Sequence, residues 1–556
     1  MTSIPPTQIR LLGLVCGVLV ACAGKHPNGD DGDAGIQVDA PDACPLSCSA
    51  DLHTVVDCHN SLVTTCASTD ACDGTSHSCV EACAGAATSH RATGCDYYAT
   101  DTENIEPTYC FAAFVVNTWT SPAHISVEYD GASENVAAFT RLPAGVGLGI
   151  SYTEYDPVAG LPPGEVAILF LAGDSGGTPN CPVTSAVPSA GHTGSGLFSS
   201  FHITTDVPVV AYEMNPYGDA TVLEAAASLL LPTSVWDVNY LAVSPAPAAA
   251  GNPSLNIIAR DDTVITFTPT VAVAGGGGIP AGAANVPMTF NLSRGQHAQI
   301  TQPAELTGSV ISSSAPIGLM LTHNCMNVPA GFSSCEHGEQ MVPPQHALGN
   351  RYAGVMYRPR IAGETATFWK VVGTVDGTQL SYSTDVGGPA TLNKGQAVNF
   401  LTGTPFVVQS QDADHPFEMF TYMTGSGYIN DSYGDPDFVV SVPPEQYLSE
   451  YVFFADPNYP ETNLVLIRER GADAQFHDVT LDCAGTLANW QHVGDYEWTR
   501  IDLVTEFAPV GMCSTGRHKI KSDAPFGLWV WGWGPATSYG YPGGMNVAPI
   551  NTVVLQ

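Results

Sequence analysis

Four times in this chain a proline is followed, four places on, by a bulky apolar residue inside a strand-like run. The copies read Thr205-Asp206-Val207-Pro208-Val209-Val210-Ala211-Tyr212, Ser313-Ser314-Ala315-Pro316-Ile317-Gly318-Leu319-Met320, Ala413-Asp414-His415-Pro416-Phe417-Glu418-Met419-Phe420 and Ser522-Asp523-Ala524-Pro525-Phe526-Gly527-Leu528-Trp529. The prolines are 108, 100 and 109 residues apart. A period of that length is the mark of a repeated structural unit. A second element opens three units: Leu231-Pro232 to Tyr240, Pro343-Pro344 to Tyr352, and Pro443-Pro444 to Tyr451. Strand-like runs follow at 255–258, 369–372 and 464–467, with turn signals such as Asp261-Asp262-Thr263 and Asp376-Gly377-Thr378.

Each unit of about 105 residues therefore holds six or seven short strands, which suits one β-sandwich. Paired propeller blades satisfy the same strand count. The fold class expected is all-β, with tandem sandwich-like units (alternatively propeller-like). The expected boundaries are 94–228, 229–341, 342–441 and 442–556. Composition agrees, with 13% charged residues, 56 Gly and 42 Pro. Low charge and abundant turn formers favour short strands over helices.

The region before residue 94 differs in kind. An apolar run at 11–20 follows Arg10. It is too short to cross a bilayer but suits a signal-peptide core. It ends Leu19-Val20-Ala21-Cys22, which resembles a bacterial lipobox, in which the Cys becomes the lipidated first residue. Residues 1–21 are expected to be a lipoprotein signal peptide and Cys22 the acylation site. Partition to the cell envelope follows, at the outer membrane or cell surface, with the lipid anchor as the only membrane contact. Residues 22–43 carry Asp30, Asp31, Asp33, Asp39 and Asp42 among Gly and Pro, and read as an acidic, disordered tether. Residues 44–93 read as a small disulfide-rich module holding Cys44, Cys48, Cys58, Cys66, Cys72, Cys79 and Cys83. Their spacing lacks paired C-x-x-C knuckles, so zinc is not expected. Seven is odd, and Cys95 is the nearest outside partner.

Charge narrows the partners. The chain carries 53 acids against 17 bases, a net charge of −36. Nucleic acid is excluded, because phosphate binding needs Lys and Arg. An unknown protein or glycan ligand remains. Of the 16 Cys, fourteen follow Cys22, an even number that in an exported chain reads as disulfides. Cys325 with Cys335 and Cys483 with Cys513 are the expected local pairs.

No catalytic constellation, metal site or cofactor is assigned. Gly173-Asp174-Ser175-Gly176-Gly177 imitates a serine-nucleophile signature. The nearest upstream base, His124, is only 51 residues before it, and Gly176-Gly177-Thr178-Pro179 breaks the helix an elbow requires. A secreted hydrolase using Ser175 stays as the alternative, as does a calcium-stabilised adhesin with Asp clustered at unit junctions. Glu336, His337 and Glu339 read as a polar loop pinned by disulfide. The alternating Trp529, Trp531 and Trp533 share a strand face, with Trp529 in the core and Trp533, Tyr539 and Tyr541 at an exposed rim.

One segment carries a resemblance. It runs Cys325-Met326-Asn327-Val328-Pro329-Ala330-Gly331-Phe332-Ser333-Ser334-Cys335-Glu336-His337-Gly338-Glu339-Gln340-Met341-Val342-Pro343-Pro344. With Gly94-Cys95-Asp96-Tyr97-Tyr98-Ala99 and Ala227-Ser228-Leu229-Leu230-Leu231-Pro232, it resembles the N-terminal region of the IgGFc-binding protein family, in its bacterial surface-lipoprotein branch. The resemblance spans roughly 94–556. It implies an extracellular, disulfide-bearing, non-enzymatic β-module serving binding, adhesion or a structural role. It does not name the ligand, and immunoglobulin binding does not follow from it.

Overall fold

In three of the four units a single long strand runs straight through the proline motif and changes partners there. Phe201–Asn215 pairs first with Gly94–Ala99 and Ile125–Tyr129, then with Phe111–Asn117 and Ala226–Leu230. Val310–Met326 pairs first with Asp237–Leu241 and Thr263–Thr268, then with Pro253–Ala259 and Glu336–Val342. Gly516–Gly534 repeats the plan with Leu448–Ala455 and Val479–Leu481, then Glu461–Arg468 and Thr537–Pro542. Register shifts fall at the crossing, between Thr204 and Val209, between Asp237 and Asn239, and between Leu448 and Glu450. Proline has no N–H to give a ladder, so a bulged crossing is where a strand tolerates it. The sheet folds back on itself at this corner and forms a half-barrel.

The third unit makes the same corner with a broken strand. Phe406–Gln409 pairs with Arg351–Gly354 and Ser381–Tyr382, while Phe417–Met423 pairs with Thr367–Gly373 and Asp437–Val440. The gap holds Asp412, whose Oδ1 takes the Asp414 N–H at 3.0 Å and His415 Nδ1 at 2.6 Å. That Asx turn diverts the chain before Pro416. The unit consequently divides into separate sheets, whereas the other three hold sheets of nine, eight and nine strands.

Both sequence repeats meet at this corner. Tyr240 donates its hydroxyl to Ile317 O at 2.7 Å, and Tyr352 donates to Phe417 O at 2.8 Å. Tyr451 donates to Phe526 O in the same way. In each case the acceptor is the residue after the motif proline. The first unit has the same pin, Tyr97 to Val209 O at 2.7 Å, although no proline-led opener announces it. Each ring is buried, and each hydroxyl satisfies a carbonyl the bulge would leave unpaired.

The bulky residue four places after each proline is also equivalent in register. Tyr212 lies opposite Phe114 and Leu229, and Met320 opposite Asn256 and Met341. Phe420 lies opposite Lys370 and Val440, and Trp529 opposite Val465 and Pro542. All four are buried. The last strand of each unit turns inward to a common centre. Ala226–Leu230 packs against Glu336–Val342 and Thr537–Pro542, and Asp437–Val440 packs against the same two. Gln340 crosses that centre, donating to Ala227 O at 2.8 Å and Gly540 O at 2.9 Å. The arrangement closes a ring, so none of these strands is left with a bare inner face.

Trp533, Tyr539 and Tyr541 belong to this inner region. They are 0%, 1% and 3% exposed, so the rim expected from their position near the chain end is in fact core. The C-terminal segment then runs back over the openers. Asn546 N–H bonds Gln446 O at 2.9 Å, Ile550 N–H bonds His346 O at 2.9 Å, and Leu555 N–H bonds Asn239 Oδ1 at 2.9 Å.

The computed structural model describes residues 44–59, 61–106, 108–145, 149–173, 180–218 and 224–556. The expected signal peptide and tether, Cys22 and Ser175 lie outside them. Leu46–Gln556 forms one compact unit. Its α-helices among the described residues are short, Ala82–Ala87, Val136–Phe139 and Ser426–Ile429. No helix among the described residues is long and apolar enough to cross a membrane. Bridges join Cys48–Cys72, Cys66–Cys79, Cys83–Cys95, Cys110–Cys181, Cys325–Cys335 and Cys483–Cys513. Cys44 and Cys58 are disulfide-bonded as well.

Candidate functional site

A cleft of about 230 Å³ opens where the Cys-rich module meets the first and fourth units. The module contributes Asp51 and Leu52, and the segment after its helix contributes Arg91. Trp119 and Val210 come from the first unit, and Tyr447 and Glu450 from the opener of the fourth. Local structure fixes each group. Asp51 follows a tight turn in which its Oδ1 accepts from Ser49 Oγ at 2.6 Å and His53 N–H at 3.1 Å. Trp119 is held by Nε1 to Ser68 O at 2.7 Å, with the His53 ring 4.0 Å away. Tyr447 fits because Gly527 lies beneath it: a Cβ there would fall 2.6 Å from the ring.

The charges in this cleft are not cancelled internally. Arg91 donates from Nη1 to Ala50 O, and no carboxylate among the described residues reaches it as an ion pair. Burial pulls its pKa down, while Asp51 and Glu450 oppose that effect at longer range. Burial also opposes the charge of Asp51. The Ser49 hydroxyl, the His53 amide, and the charges of His53 and Lys519 outweigh it, so the carboxyl stays below its usual value. Glu450 is engaged by Lys519 Nζ at 2.7 Å. The Tyr447 hydroxyl is buried with no hydrogen-bond partner.

A second cavity, about 250 Å³, lies near Tyr98, Glu128, His202 and Arg294. Its charged groups other than Asp130 are already paired, and Asp130 accepts from Ser199 Oγ at 3.1 Å. His202 lies between Asp96 at 3.1 Å and Glu128 at 3.4 Å, and Arg294 reaches Glu128 at 3.3 Å. The first cavity is thus the one whose electrostatics leave work for a ligand.

Residues singled out by sequence fall elsewhere. His124 is tied by Nδ1 to Asp206 at 2.7 Å and by Nε2 to Val158 O at 3.3 Å. The Asp206 hydrogen bond raises its pKa. With both ring nitrogens already engaged, it is not poised as a general base. Glu336, His337 and Glu339 are not in a loop. They belong to the fully buried strand Glu336–Val342. His337 Nε2 lies 3.3 Å from Glu339 Oε2 and 3.3 Å from Thr102 Oγ1, and burial takes its pKa down to about 3. It is a neutral core histidine.

The seams between units do hold acids. Burial and nearby Glu339 hold Glu213 well above the usual carboxyl range, and burial does the same for Asp437 and Glu336. Asp101 is pushed by burial to about 8 and Asp456 to about 7. In that range they are protonated near neutral pH, which removes the cost of burying a charge. Asp482, Cys483 and His518 cluster with metal-like spacing. Cys483 is in a disulfide and offers no thiolate.

The described residues form an all-β array closed around a centre, with a charged cleft beside it. A family model described as IgGFc binding protein matches residues 226–532. That is more than half of the chain, and the chain belongs to this non-enzymatic family of binding proteins. No curated protein matches it. The matched stretch takes in the second and third units and ends inside the fourth, leaving outside it the Cys-rich module and nearly all of the first unit. Those two supply Asp51, Arg91, Trp119 and Val210, so the cleft lies where the chain's own N-terminal part meets the family's region.

Proposed function

We propose that this chain is a lipoprotein, acylated at Cys22, that holds a non-catalytic β-array outward from the bacterial envelope to bind an external partner. The family match on a disulfide-closed array is the observation that carries this reading. The lipobox-like Leu19–Cys22 and the acidic tether supply the anchor and its spacing. A net charge of −36 keeps such an array soluble and off anionic lipid. The decisive experiment replaces Cys22→Ser. The variant should leave the detergent phase for the aqueous phase and appear outside the cell. Unchanged partitioning would overturn the anchoring. The same released chain, used as bait on surface extracts, should retain a specific protein or glycan, and a bare bait would remove the binding role.

A further inference from the structure

The cleft at Asp51 and Arg91 presents opposite charges that do not pair with each other. Arg91 has five N–H donors and no way to lose its charge. One of them is used on Ala50 O. Asp51 spends Oδ1 on Ser49 and His53, and Oδ2 has no partner among the described residues. Both line the same 230 Å³ space, yet they form no ion pair. The rest of the lining is mixed: Leu52, Val210 and Val452 give it an apolar patch, beside Thr93, Thr118, Ser449 and Asn546. Separated charges beside an apolar patch are the complement of a small molecule that carries both signs and an apolar group.

We propose that this cleft binds a zwitterion of the α-amino-acid type, with its carboxylate on Arg91, its ammonium on Asp51, and an apolar side chain against Val210 and Val452. A planar guanidinium grips a carboxylate through two parallel hydrogen bonds. The volume suits a single small solute and excludes a folded chain. A purely anionic ligand would leave Asp51 facing a like charge, and a purely cationic one would do the same to Arg91. The inference deepens the binding role proposed above by naming a ligand class for one site.

The test uses the full-length protein and three probes in calorimetric titration: L-leucine, N-acetyl-L-leucine, which has lost the ammonium, and L-leucinamide, which has lost the carboxylate. Leucine should bind saturably, and each blocked form should bind at least about tenfold more weakly, equal to about 1.4 kcal/mol. Arg91→Gln should erase the preference for leucine over leucinamide. Asp51→Asn should erase the preference over N-acetyl-leucine. The second variant changes an exposed turn residue, so it keeps the test valid if Arg91→Gln does not fold. Equal binding of all three probes, or none at about 10 mM, would overturn the assignment. Neither result touches the anchoring or the capture of a macromolecular partner, which the Cys22→Ser experiments decide separately.

Discussion

Between residues 46 and 93 the module's own small cluster is Val55 with Cys66 and Cys72, and Leu62–Thr65 is exposed along its whole length. In the β-array the strands Phe111–Asn117, Val166–Ala172 and Pro253–Ala259 are buried at every position. A segment of some fifty residues removes too little apolar surface from water to hold itself, and covalent links substitute. Cys48–Cys72, Cys66–Cys79 and Cys83–Cys95 supply them, and Leu52, Ala71, Ala82 and Ala86 lend what apolar surface there is to the larger core. The array follows the opposite rule. Its bridges, Cys110–Cys181, Cys325–Cys335 and Cys483–Cys513, fall one each in the first, second and fourth units, and its order comes from packed strands pinned at repeated corners. The comparison teaches that the cleft joins two regions of different stability, with Asp51 on the fragile side and Tyr447 on the robust side.

The largest effect that would break this comparison lies in the array. Met320→Ala should cost about 2–5 kcal/mol, the range for a large-to-small change in a packed core, and should lower the midpoint of global denaturation. A loss below about 0.5 kcal/mol would mean Met320 is not core. In the module, replacing Cys48 and Cys72 together by Ala opens a link across a sequence separation of 24. Chain entropy puts the loss at about 3–4 kcal/mol, confined to the module, so proteolysis should cut 46–93 while the array stays intact. Global unfolding in step with it would erase the distinction.

Much of this architecture was legible in the chain, and the reasons are specific. The motif prolines announced the corners because only a bulged crossing accepts Pro in mid-strand. The aligned Tyr212, Met320, Phe420 and Trp529 announced the core because a strand carries one residue type on one face. The link between the two repeats was not legible. Tyr240, Tyr352 and Tyr451 bond to a backbone carbonyl, and a carbonyl has no signature in sequence. Tyr97 escaped for a further reason: Gly94-Cys95-Asp96-Tyr97 lacks the proline that leads the other openers. Glu336 and Glu339 read as a polar loop because charged residues normally mark surface. Here the strand is buried on both faces and its acids lie protonated in the seams. Asp51, Arg91 and Tyr447 are hundreds of residues apart in part, so no local spacing could join them into a cleft.

The corner pins give a sharper, smaller test. Tyr352→Phe removes one buried hydroxyl and leaves Phe417 O without a donor, at a cost of about 1–3 kcal/mol. Tyr240→Phe should cost a similar amount, since its geometry is the same. Effects that differ several-fold between them would break the equivalence of the units.

A pH dependence gives a separate test. An unfolded Asp ionises near 3.8, whereas Asp101 keeps its proton up to about 8. The folded state then binds more protons than the unfolded one, so stability falls as pH rises through that window. Asp101→Asn should flatten this fall, and its stability relative to the parent should rise between about pH 4 and pH 8 when melting is followed across buffers. The buried histidines act on the other side. His297 and His337 resist protonation down to about 3, so stability also falls as pH drops below their ordinary value of 6.5.

Hydrogen exchange under reducing conditions tests the central contrast most directly. With the disulfides reduced at neutral pH, amides of residues 46–93 should lose their protection. Those of the long strands Phe201–Asn215, Val310–Met326 and Gly516–Gly534 should keep theirs, and Tyr447 should remain ordered while Asp51 does not. Loss of protection throughout the array, at the same rate as in the module, would contradict the account.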